Sequence, residues 1–128
     1  MKKILFILSL CFPVVLFGQV FLDKVQREID SLNVVIANES TADTTLAESY
    51  LDLSGLLYVQ NIDTMIPLCN KVIEIAEKKL ATNPNKLEEI AMLNHYSGAL
   101  NNIAFVYMSK GDINKCLNYL NKSLAIYE

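Results

Sequence analysis

The chain has 128 residues, 52% hydrophobic and 20% charged, with four Gly, three Pro, no Trp and a formal charge of −3. It is too apolar to be disordered and too short for several domains, and its few Gly and Pro exclude an all-β fold that turns every ~8–12 residues. No basic stripe remains for phosphates, which sets nucleic acid aside as a partner.

The first eighteen residues stand apart. Met1-Lys2-Lys3 is a positive start, Ile4 to Phe17 is apolar apart from Ser9 and Pro13, and Gly18-Gln19 follows. This is the layout of a secretory signal peptide, expected to be cut near Gly18 and to direct the rest to the periplasm or outside. The apolar run of about fourteen residues falls short of the roughly twenty that span a bilayer. Membrane is therefore a partner only if the segment is retained as a tether. Cys11 follows Leu10 rather than a small residue, so it reads as one more apolar residue and not as a lipidation site. Beyond the segment, loss of Lys2 and Lys3 takes the formal charge from −3 to −5.

Every later apolar pattern has a helical period. Phe21, Leu22, Val25, Ile29, Leu32 and Ile36 mark a first helix, and Asn38 to Asp43 is a polar break. Leu46, Tyr50, Leu53 and Leu57 mark a second helix ending near Gln60-Asn61. Asp63 is the expected cap of a third, with Pro67 in its first turn and a stripe through Ile66, Cys69, Val72, Ile73, Ala76 and Leu80. Thr82-Asn83-Pro84-Asn85 is a loop. A long helix is expected from Lys86 to Ser109, carrying Leu87, Ile90, Leu93, Leu100, Ile103 and Tyr107. Lys110-Gly111-Asp112 turns the chain into a last helix from Ile113 through Cys116, Leu120, Leu124 and Tyr127. The fold class is all-α, an antiparallel helix-turn-helix stack.

The stretch from Ser97 to Glu128 resembles a tetratricopeptide repeat, whose units are pairs of antiparallel helices. Leu100, Ile103, Ala104 and Tyr107 fall on its first-helix places, Gly111-Asp112 on its turn, and Cys116, Leu120 and Ser123 on its second helix. Small residues at Ala104, Cys116 and Ser123 allow close helix approach, with Leu100, Ile103, Tyr107 and Leu120 filling the gap. A weaker copy places Tyr50, Leu53, Ser54 and Leu57 on one helix and Met65, Cys69 and Val72 on the other. Met65 precedes Cys116 by 51 positions, 17 more than the family repeat of about 34. Two added turns on each of two consecutive helices would absorb them, as a hairpin over the polar run Glu77 to Glu89. The organisation read from this is a signal peptide over 1–18, an N-terminal helix over 19–42, and a weak repeat over 43–81. A loop and helix extension over 82–96 and the better repeat over 97–128 complete it.

The wording also resembles the exported sensor arms of bacterial signalling proteins with such repeats, including sensor histidine kinases. One alternative is accordingly a truncated periplasmic sensor region. A repeat array normally ends in a polar capping helix, and here the last helix is expected to leave an apolar face uncovered, through which two copies could pair.

No residues suggest catalysis, a cofactor or a metal. His95 is the one histidine and lacks companions at ligand spacing. Cys69 and Cys116 are expected on separate helix layers, too far apart to bond, and therefore reduced. The carboxylate pairs Glu74/Glu77 and Glu88-Glu89 read as solvated helix faces. The resemblance implies instead a concave surface formed by the first helix of each pair: Gly98, Asn101, Phe105 and Met108 in the better copy, Glu48, Leu51, Gly55 and Tyr58 in the weaker. Tyr58, Asn101, Phe105 and Met108 are the candidate contacts for a peptide or partner protein. Packing on a neighbouring helix is an equally good account of Phe105 and Met108. None of these places is basic, which does not suit the carboxylate clamp of the chaperone-binding members.

Overall fold

The computed structural model describes residues 2–58 and 60–127, with side chains from Gly18 onward. The side chains of the expected signal segment, Cys11 included, lie outside the described residues. Five α-helices follow one another: α1 (Lys2–Ala37), α2 (Asp43–Leu57), α3 (Met65–Leu80), α4 (Lys86–Ser109) and α5 (Ile113–Ala125). A 3-10 turn at Ile62–Thr64 leads into α3, and there is no strand among the described residues. The chain divides into two compact units, one up to Ser31 and one from Leu32 onward. Among the described residues no helix is long and apolar enough to cross a membrane.

The helix limits follow from local chemistry. Asn85 caps α4: its side-chain oxygen accepts the Leu87 and Glu88 N–H groups at 3.1 Å, and its amide donates to Glu88 at 2.9 Å. At the other end Gly111 takes φ +76°, giving its N–H to Met108 and the Asp112 N–H to Tyr107. This pair of bonds is the Schellman closure, and it needs a residue free of Cβ strain. Asp112 then caps α5 by accepting the Lys115 N–H at 3.1 Å. The Lys115 ammonium, bonded to the same carboxylate, holds Asp112 below the usual carboxylate range.

The expectation for the start of α3 is corrected. Asp63 lies inside the 3-10 turn, which Asn61 caps by accepting the Asp63 N–H at 3.0 Å, and α3 itself starts after Thr64 with no side-chain cap. The Asp63 carboxylate is taken instead by Lys110. α2 also ends three or four residues before the polar pair that was to close it, at Leu57. Pro67 lies in the first turn of α3, where its missing N–H costs little.

Packing in the unit from Leu32 onward runs from each helix to its neighbour, α2 to α3, α3 to α4 and α4 to α5, and α2 also meets α4. α4 and α5 are antiparallel. As numbers fall along α5 they rise along α4: Tyr127 bonds Asn94, Ser123 bonds Ser97, and Tyr119 stacks on Tyr107 at 5.6 Å. Ala47, Cys69, Val72, Ala76, Met92, Ala99 and Ile103 form the core, sheltered by partly buried Tyr and Ile side chains. Four of the seven are Ala or Cys, so helix axes rather than large side chains fill the interior.

Three sequence expectations fail on burial. Leu87 and Ile90 are exposed on α4, and its buried stripe begins at Met92, which is fully enclosed. Leu120 is 42% exposed and does not fill the gap between α4 and α5. Cys116, Tyr119 and Ser123 occupy that contact, at helical spacing one position round from the leucines. The added length is not shared evenly either: α4 has 24 residues against 15 in α2, whereas α3 has 16 against 13 in α5.

The hairpin from α3 to α4 is joined by polar contacts. Lys79 pairs with Glu88 at 3.0 Å, and the Tyr96 hydroxyl donates to Glu77 at 2.6 Å. The Glu77 bond and charge, with partial burial, push Tyr96 up to about 12. Unfolding releases this phenol to titrate near its ordinary value of about 10. Its contribution to stability is therefore complete below about pH 10 and is lost as pH rises toward 12. Ultraviolet titration is expected to show late ionisation of Tyr96 in the native protein, abolished by Glu77→Gln.

Candidate functional site: an apolar face across α2 and α4

α2 and α4 lie side by side in one register. Gly98 on α4 faces Leu51 on α2: a Cβ there would lie 3.0 Å from a Leu51 methyl, so the Leu51 side chain fills the space that a larger residue would take. Asn102 donates to Ser54 at 3.1 Å, and Tyr58 meets Phe105 edge to face at 5.9 Å. Beyond the helix ends, Lys110 reaches Asp63. Each contact joins positions 47 or 48 apart, and the order along both helices is the same, so α2 and α4 run parallel. The sequence alignment of the two copies sets Leu51 with Asn101 and Tyr58 with Met108, 50 apart. The pairs that touch are one helical turn earlier on α4.

Of the candidate contact residues, Tyr58 and Phe105 are brought together. They remain 45% and 39% exposed, and Met108 is 51% exposed one turn further along α4. Asn101 is exposed on the preceding turn of α4. Phe105 packs on its neighbour and faces solvent at once, which joins the two accounts the sequence left open. Glu48 and Gly55 are exposed, whereas Leu51 and Gly98 are partly buried against each other.

Beneath this face lies a polar cluster that sequence reading did not assemble. Ser54 donates to the Leu51 carbonyl at 2.7 Å and accepts from Asn102 and from the Cys69 thiol, the latter at 3.6 Å. It ties α2, α3 and α4 together, and among the described residues no buried side-chain polar atom lacks a partner. Burial pushes the Cys69 thiol up, against the smaller opposing effect of its two hydrogen-bonding neighbours. Cys69 and Cys116 are both buried and free. The only sequence signal for the cluster was a serine and an asparagine placed on otherwise buried helix faces.

Little else converges. His95 is half-buried within α4, and among the described residues no three His, Cys, Asp or Glu side chains could hold a metal ion. A cleft of about 180 Å³ at the α3–α4 loop is lined by Leu80, Asn83, Pro84 and Glu89. It is smaller than the ~300 Å³ at which small-molecule sites begin, and carries a single charged group.

The fold and this face define an all-α protein of two helical hairpins that presents an aromatic and methionine surface. Compared with known proteins, the chain matches no protein-family model, no curated protein and no solved structure.

Proposed function

We propose that the chain is an exported module of tetratricopeptide type that binds a peptide or partner protein and carries out no reaction itself. The observation that carries this reading is the exposed trio of Tyr58, Phe105 and Met108. An aromatic edge-to-face pair spans the parallel helices α2 and α4, with a flexible thioether beside it. Aromatic and Met side chains are enriched where protein partners bind, and a handful of them dominates affinity. The repeat-like residues from Ser97 to Glu128 and the signal-like segment before Gly18 support the family and the address.

The test uses the full chain and a displayed library of random linear peptides. Selected peptides are expected to be apolar and to lose about tenfold or more in affinity on Phe105→Ala or Met108→Ala, the size of a moderate hot spot. Glu74→Gln, on an exposed turn of α3 paired only with Lys71, is expected to change nothing. Peptides that bind equally well to both sets of variants would place recognition elsewhere.

A further inference from the structure

α5 carries a second apolar surface. Ile113, Leu117, Leu120, Leu124 and Tyr127 recur at intervals of four and three, and all are 42–64% exposed. This is the spacing of the seam along which two helices pack as a coiled coil. α5 turns the face of Cys116, Tyr119 and Ser123 to α4, and at the end of the seam the Tyr127 hydroxyl donates to Asn94 of α4. The leucine seam therefore remains open while the helix is already held in place.

We propose that this seam pairs with the same seam of a second copy of the chain. Charge is the first reason. On a helical wheel Lys115 and Lys122 lie opposite the seam, where they sit over the rings of Tyr107 and Tyr119 at 5.0 and 5.2 Å. The residues flanking the seam on its open side are Asn114 and Asn121. Among the described residues, two identical seams thus meet with no like charges opposed, whereas a membrane surface would call for cations beside the leucines.

Layout is the second. Five large apolar side chains, each 42–64% exposed, run the length of α5 as the apolar centre of an interface would, and the two asparagines lie where a polar rim belongs. Symmetry is the third. Leu120 is the middle residue of the five, so in an antiparallel pair with its two-fold axis at Leu120, Leu117 meets Leu124 and Ile113 meets Tyr127 of the other copy.

Light scattering of the full chain over a concentration series is expected to show a dimer. Leu117→Lys combined with Leu124→Lys is expected to raise its dissociation constant roughly a hundredfold while the helical circular dichroism is kept, since both side chains face solvent. Leu120→Cys is expected to form a disulfide-linked dimer under mild oxidation, above the background of the unaltered chain. Leu87→Cys, the most exposed leucine on α4, is not. A monomer throughout, a dimer that survives the double substitution, or equal cross-linking at 87 and 120 would each overturn the proposal. The peptide-binding face on α2 and α4 is tested by other residues, so the two readings fail separately.

Discussion

Ile103→Ala is expected to lower stability by about 2–5 kcal/mol, the range for emptying a fully enclosed aliphatic site. Ile103 has no exposed surface and lies in the core with Cys69, Val72, Ala76, Met92 and Ala99. Its core neighbours are themselves buried and held on packed helices, so a cavity there collapses only in part. Domains of this size are held by about 5–15 kcal/mol in total, so the loss is a large share. Urea unfolding followed by circular dichroism measures it: the midpoint falls while the slope is kept. A loss below about 1 kcal/mol would mean that the site relaxes around the missing atoms or that Ile103 is not enclosed.

Ala104→Leu, one residue along, is expected to destabilise by about 1–3 kcal/mol although it adds apolar surface. Ala104 is 1% exposed and shares its helix face with Ser97, seven residues earlier, whose hydroxyl lies 2.8 Å from Ser123 on α5. A side chain with so little exposed surface has no solvent side into which an isobutyl group could turn. Phe105→Ala, the next residue again, removes far more surface yet is expected to cost little stability, since the ring is exposed and touches one edge of Tyr58. The pair inverts the usual ranking: adding carbon at 104 harms the fold, and removing it at 105 harms binding. Thermal melts of the two variants, read beside peptide affinity, separate these effects.

The sequence made the helix limits legible where a single residue decides them. Asn85 and Gly111 are legible because a cap needs a short acceptor and a positive φ needs a glycine, and both act within a few residues. Facing was harder to read. On α5 the buried positions are Cys116 and Ser123, and all its leucines are exposed, so a reading that sends large apolar side chains inward assigns Leu120 to the wrong side. Met92 was passed over in favour of Leu87 and Ile90 because the start of α4 carries apolar residues on more than one face. Asp63 was a sound capping residue in isolation, yet Asn61 stood two residues ahead of it and Lys110 waited 47 residues on. Tyr58 and Phe105 were placed on a common surface by the repeat-like spacing. Their contact depends on a register one turn away from that spacing, which no local pattern announces.

The packing of α2 to α5, each against helices one or two places along, also bears on how the molecule assembles. The side-chain contacts between helices described above join residues no more than 48 apart in the chain. Little loop entropy has to be surrendered before a contact forms, which favours rapid folding. Each hairpin can close around its own turn, and the meeting of Leu51 with Gly98 then joins the two. Damage in such a chain stays near where it occurs: loosening α5 exposes one side of α4, while α2 and α3 keep each other's company.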